Sequence, residues 1–349
     1  MNGAHTPAAH TPAAHARTVH TRITGVTAHL PERTLTTAQL EDRIAADNPG
    51  LDFPRGLIAK YSGVQRRHVA AATQRPSDLA VTAAGKLLKR TGTDPARIDL
   101  LLYAGLSLDF VEPATAHLVA CELGMNCPVF ETRNACNSVC NAIEAADAFI
   151  AAGRYRTVLI VSGETGTRTM PRVLDGEAAF TDAVASYTVS DAGVALLLEA
   201  GEEPGLLTHH TLARSSAWPA ATVPIVYRDG DIRIGSFTVD GTRLAQAFIT
   251  IERDTFTGVL TGMGLAWDDL AAVCMHQASL DSTWRFCEYF GVPKDKVVVT
   301  IADHGNVATA SLPLQLAQAT AAGRVRAGDL VALIGLASGV SVSFMVLRW

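Results

Sequence analysis

Short apolar runs with little polar alternation recur along the chain, and stretches with helical spacing separate them. Leu100 to Tyr103, Val129 to Thr132 and Val158 to Val161 read as strands. Between the last two, Val139, Ile143, Ala146, Phe149 and Ile150 fall on one helical stripe. The pattern predicts an Ala-rich helix from Cys136 to about Ala152, ended by Gly153. Strands without alternation, spaced by helices, imply a sheet covered on both faces. Leu330 to Leu347 carries no charge over nearly the length of a membrane span. Its centre is Gly335-Leu336-Ala337-Ser338-Gly339 and its ends are rich in β-branched residues, so it reads as two buried strands joined by a glycine-rich turn.

The chain repeats itself at an offset of 170. Ala-Ala-Gly-Arg at 151 to 154 returns at 321 to 324, and the same offset carries the strand at 99 to 103 onto 269 to 273. It also carries the strand at 128 to 132 onto 298 to 302, which predicts a strand there, and it places Cys136 on Asn306 and Leu106 on His276. Two copies of one α/β unit follow, at 21–200 and 201–349, with Gly201 to Gly205 as the crossover and residues 1–20 as a flexible tail. Incidental metal binding by His5, His10, His15 and His20 in that tail is a weaker reading. Two such units face to face give a five-layer α/β/α/β/α body.

Composition narrows the function. At 349 residues, 48% hydrophobic and 18% charged, the chain can bury a large core and is not a disordered polymer. A net charge of -5 without a long basic run leaves out the electrostatic footprint of a nucleic-acid binder. The N-terminal residues lack a continuous apolar segment, so they predict neither signal peptide nor membrane anchor. Six cysteines in so long a chain predict free thiols and a cytoplasmic protein rather than a disulfide framework.

One of those cysteines stands apart. In Phe130-Glu131-Thr132-Arg133-Asn134-Ala135-Cys136 a strand turns directly into a helix, and a thiol at a helix N-terminus is expected to have a depressed pKa. The commoner fate of a cysteine is packing, which suits the other five. Facing units would bring His276, at the end of a strand, and Asn306, at the matching helix start, to the same centre. His276 could accept the thiol proton, and Asn306 could donate an N–H to an oxyanion.

These motifs resemble those of thiolase-superfamily condensing enzymes of the β-ketoacyl-ACP synthase III type. The landmarks are Phe-Glu-x-x-Asn-Ala-Cys at 130 to 136, His-Gln-Ala-Ser at 276 to 279, Gly-Asn-x-x-Thr-Ala-Ser at 305 to 311 and Gly-Asp-Leu-Val-x-Leu-Ile-Gly at 328 to 335. The resemblance implies a thiolase-like fold, a Cys136-His276-Asn306 triad, an acyl-Cys intermediate and a homodimer built on the N-terminal unit. It implies no resident cofactor, the substrates being phosphopantetheine thioesters of acyl carrier protein or CoA.

Departures sharpen the expectation. Leu57 and Tyr61 stand where housekeeping members offer a Trp and an Arg that clamp the CoA adenine, which favours delivery by a carrier protein. Asn137-Ser138-Val139 replaces the usual Ala-Gly-Phe. Glu112-Pro113-Ala114-Thr115 resembles the segment of head-to-head condensing and pyrone-forming relatives, in which the glutamate reaches across the dimer to remove an α-proton. The same Glu112 also reads as a solvated loop carboxylate. Claisen condensation of acyl thioesters in specialised, polyketide- or fatty-acid-derived metabolism is the leading expectation. Transfer of the acyl group from Cys136 to an alcohol or amine is the second. A non-catalytic subunit that shapes a partner's tunnel is the third, and such subunits tend to lose the cysteine.

Overall fold

The computed structural model describes residues 19–51 and 55–349. The tail expected at 1–20 falls outside them except for Val19 and His20, and His20 already belongs to a strand. The first sheet is built from β1 (His20–His29), β2 (Leu100–Ala104), β3 (Val129–Thr132), β4 (Thr157–Thr165) and β5 (Asp191–Gly201), in the order β3-β2-β4-β5-β1. The second uses β6 (Leu206–Ala213), β7 (Leu270–Met275), β8 (Leu330–Ala337) and β9 (Ser341–Arg348), in the order β7-β8-β9-β6. In each sheet parallel pairing (β2 with β4, β7 with β8) gives way to antiparallel pairing, so the second sheet repeats the first without its edge strand β3.

Side-chain alternation along the strands shows what each face buries. Leu101 and Tyr103 of β2 pack with α1 (Pro76–Thr91), whereas Leu100 and Leu102 point to the layer between the sheets. That middle layer holds α2 (Ser138–Ala151) and α4 (Ser311–Ala321), through Val139, Ile143, Leu312 and Leu316. Cys274 and Leu333 reach it from the second sheet, while Met275, Ile334 and Phe344 face outward to α3 (Leu280–Phe290). The result is the five-layer α/β/α/β/α stack.

The expected strand at 298 to 302 does not form. The buried Gln277 occupies its backbone instead: Oε1 accepts from the N–H groups of Thr300 (3.1 Å) and Ile301 (3.2 Å), and Nε2 donates to the Val298 carbonyl (2.8 Å). Val298 still donates to the Val273 carbonyl of β7 at 2.9 Å, but with the groups of Thr300 and Ile301 satisfied by a side chain the pairing stops at that single bridge, and a short helix, Ile301–His304, follows. The uncharged stretch at 330 to 347 is the β8–β9 hairpin, and no helix among the described residues is long and apolar enough to cross a membrane.

Candidate active site

Cys136 sits in the turn between β3 and α2. Ala135 before it has a left-handed φ of 47°, an unfavourable conformation for a residue with a Cβ. Ser138 staples the turn, its Oγ accepting from the Asn134 N–H at 2.9 Å and donating to the Ala135 carbonyl at 2.6 Å. The N–H groups at the start of α2 are already used: Asn137 donates to the Asn134 carbonyl, Ser138 to the Ala135 carbonyl, and Val139 to Thr309 Oγ1 at 3.0 Å.

That arrangement corrects the expected thiolate. Although part of Cys136 remains accessible, burial of the thiol and, second, the charge of Glu164 push its pKa up to about 12. The helix start supplies little compensation because its first donors point at Asn134, Ala135 and Thr309 rather than at sulfur.

His276 follows β7 directly, and its N–H donates to the Ile334 carbonyl of β8 at 3.0 Å. Gln315 of α4 grips the residue before it, accepting from the Met275 N–H and donating to the Met275 carbonyl, both at 2.8 Å. The imidazole is buried, and desolvation lowers its pKa to about 4, with hydrogen bonding to the Ala308 backbone acting the other way.

Asn306 lies between the short helix ending at His304 and α4, five residues before the α4 start at Ser311. Its N–H donates to the Thr188 carbonyl (2.8 Å), its carbonyl accepts from Ser190 (2.9 Å), and Oδ1 accepts from the Ala308 N–H at 3.0 Å. The side-chain NH2 is therefore the end left to donate. Just upstream, Gln318 Nε2 meets His304 Nε2 (2.7 Å), His304 Nδ1 meets His68 Nε2 (3.0 Å), and His68 Nδ1 meets the Pro31 carbonyl (2.7 Å). This chain is satisfied with both rings neutral, and burial keeps the His304 pKa low.

The three segments thus form a closed circuit. The Cys136 turn bonds to Thr309, the Asn306 loop meets His276 at Ala308, and His276 bonds to Ile334, whose neighbour Gly335 abuts Asn137. Glu112 is not part of it. It stands exposed on the loop between β2 and the helix Thr115–Glu122, beside Phe110 and Val111, which is 94% exposed. Leu57 is partly buried against a satellite core, whereas Tyr61 on the same short helix is exposed.

Sequence reasoning missed Glu164. This carboxylate, 1% exposed, accepts from the Leu106 N–H (2.9 Å), the Ser107 N–H (3.2 Å) and Ser107 Oγ (2.9 Å). Burial nevertheless raises its pKa to about 7. The sequence offered little signal, because Glu164 lies beyond the apolar run Val158 to Val161, among Ser162, Gly163 and Thr165.

Family models fit both halves of this circuit. The model of 3-oxoacyl-[acyl-carrier-protein] synthase III matches residues 130–215, which contain Cys136, and the model of its C-terminal region matches residues 260–349, which contain His276 and Asn306. The chain belongs to the synthase III family of condensing enzymes. Solved structures of Xanthomonas campestris OleA share the fold. A histidine-to-alanine variant superimposes with a TM-score of 0.85 at 24% identity, covering 95% of this chain and 98% of that one. The cerulenin-bound form gives 0.84 at 25% identity over 95% and 97%. A cysteine-to-serine variant with bound lauric acid and lauroyl-CoA gives 0.84 at 24% identity over 95% and 99%. This synthase III-like enzyme therefore has the thiolase-like fold and is an acyl-transferring condensing enzyme that acts on acyl thioesters.

Proposed function

We propose that the enzyme joins two acyl thioesters by Claisen condensation through an acyl-Cys136 intermediate. The observation that carries this reading is the circuit that ties the Cys136 turn to the His276 and Asn306 loops. With the thiol near 12 and the imidazole near 4, the resting pair is neutral thiol and neutral imidazole. Sulfur attacks the first thioester carbonyl as His276 takes the S–H proton, and the leaving thiol recovers that proton as the acyl group stays on Cys136. The oxyanion is met by the N–H of Cys136 itself and by the Leu336 to Gly339 segment at the tip of the β8–β9 hairpin.

In the second half-reaction an α-carbon of the other thioester attacks the acyl carbonyl and releases the Cys136 thiolate, which is reprotonated. His276 and the Asn306 NH2 hold the enolate oxygen. Glu112 of the partner subunit removes the α-proton, which suits its exposure on the loop after β2. A homodimer joined through the outer strand β3, where Phe130 is exposed, would bring that loop across. The crystals of OleA with lauric acid and lauroyl-CoA support an apolar acyl chain as the first substrate. The partly buried Leu57 and the exposed Tyr61 lack the groups of a nucleotide clamp, so a cytoplasmic acyl carrier protein delivers the chains, without a resident cofactor, in polyketide- or fatty-acid-derived metabolism.

Glu112→Gln tests the assignment. A positioned base is worth about 10²- to 10⁴-fold. The variant should acylate Cys136 normally and lose condensed product by about that factor, and mixing it with Cys136→Ala should restore one site per heterodimer. Normal turnover would make Glu112 a loop carboxylate and return the reading to decarboxylative extension or to acyl transfer onto an alcohol or amine.

A further inference from the structure

Of the three residues after Cys136, Ser138 staples the turn and Val139 bonds to Thr309, but Asn137 serves neither. Its side chain is fully buried. Nδ2 donates to Ser341 Oγ at 3.1 Å, and Asn134 Nδ2 donates to the same oxygen at 3.3 Å and to Asn141 Oδ1 at 2.8 Å. Ser341 is the first residue of β9 and comes immediately after the turn that follows β8.

On its other side Asn137 meets the end of β8. A Cβ at Gly335 would fall 1.8 Å from Asn137 Oδ1, so the glycine leaves the space that the amide fills. One side chain from the Cys136 turn is thereby wedged against both strands of the hairpin, at Gly335 near the end of β8 and at Ser341 where β9 begins, beside the Ser338 to Val340 turn. Oδ1 has no hydrogen-bond partner among the described residues. A buried carbonyl left unpaired is costly, so an apolar residue would serve packing better.

We propose that Asn137 is a positioning residue that, through Ser341 and Gly335, holds the Ser338 to Val340 turn of the second unit in register with Cys136 of the first, so that thiol and turn address the same thioester carbonyl. The inference rests on the acyl-Cys136 reading and deepens it. The strut crosses between the two units, so loosening it displaces the oxyanion donors relative to sulfur without removing a group that touches substrate. A misplacement of about 1 Å can cost on the order of 10²-fold in rate.

The test is single-turnover acylation of the full-length protein by lauroyl-CoA, followed by intact mass. Ser341→Ala deletes one hydroxyl from a strand, and Asn137→Ala deletes the strut. Each should slow acylation by about tenfold or more, with KM for lauroyl-CoA little changed. The double variant should be no slower than the slower single one, because both remove one connection. Ser341→Thr, which keeps the hydroxyl, should recover the rate. Alkylation of Cys136 by iodoacetamide should not change, since it needs no oxyanion donor.

An acylated parent with variants that acylate at the parental rate overturns the inference and leaves the proposed function standing. Parallel loss of acylation, alkylation and thermal stability also overturns it, because the contact would then be structural only. A parent that gains no acyl mass from lauroyl-CoA or from lauroyl carrier protein overturns the proposed function and the inference with it.

Discussion

The backbone N–H of Val139 donates to Thr309 Oγ1 at 3.0 Å, and 170 positions separate the two residues, the same interval as the internal repeat. Equivalent positions of the two copies therefore touch each other. Such a contact arises where an approximate two-fold axis passes between the copies, here at the start of the two central helices. Cys136 lies three residues before Val139 and Asn306 three before Thr309, so the pseudo-symmetry that builds the core also sets the spacing of the site.

Thr309 is fully buried, and its hydroxyl is the acceptor for one of the first N–H groups of α2. Thr309→Val keeps the shape and removes the acceptor. An orphaned buried donor costs about 1–3 kcal/mol, so the midpoint of urea unfolding should fall accordingly with an unchanged slope. An unshifted midpoint would mean that the contact carries no stability.

The pKa of Cys136 has a second cause besides burial, and its sign can be tested. Glu164, with a pKa near 7, is neutral at low pH and charged above it, and its negative charge disfavours the thiolate. Glu164→Gln should therefore leave iodoacetamide alkylation of Cys136 unchanged below about pH 6 and accelerate it above about pH 8. A variant that alkylates at the parental rate at every pH, or more slowly above pH 8, would contradict this electrostatic coupling.

The repeat was legible because both copies share an alternation, with Leu102 and Ala104 facing the middle layer as Ala272 and Cys274 do, although Leu270, the counterpart of Leu100, faces outward across the irregularity between Leu270 and Ala272. The β8–β9 hairpin was legible from its glycine-rich centre. The strand expected at 298 to 302 was not corrected by any local pattern. It failed because Gln277, more than twenty residues away, takes its hydrogen bonds. The lowered thiol pKa failed for a related reason. A helix start in a sequence shows donors but not what they already bind, and here Thr309 comes from the other copy. Glu164 was not legible, because it lies beyond the apolar run of β4 and its effect on the thiol depends on how β4 packs beside the turn.

His276 and Asn306 should differ in the half-reactions they serve. In the proposed reaction both meet the enolate oxygen that develops only during carbon–carbon bond formation, and loss of one such donor costs roughly 10²- to 10³-fold. Asn306→Ala should therefore slow condensation by about that factor and acylation much less, whereas His276→Ala, which also loses the base that takes the thiol proton, should slow both steps. Rapid-quench rates for Asn306→Ala that fall equally in both steps would assign that residue a structural role.

The central claim is that Cys136 alone carries the acyl group, and intact-protein mass spectrometry after incubation with lauroyl-CoA and with lauroyl carrier protein tests it most directly. The parent should gain one acyl mass per chain, faster from the carrier, with the adduct mapping to the peptide that contains Cys136. Cys136→Ala should gain none. An adduct that persists in Cys136→Ala, or that maps to Cys140 one helical turn further on, would contradict the account.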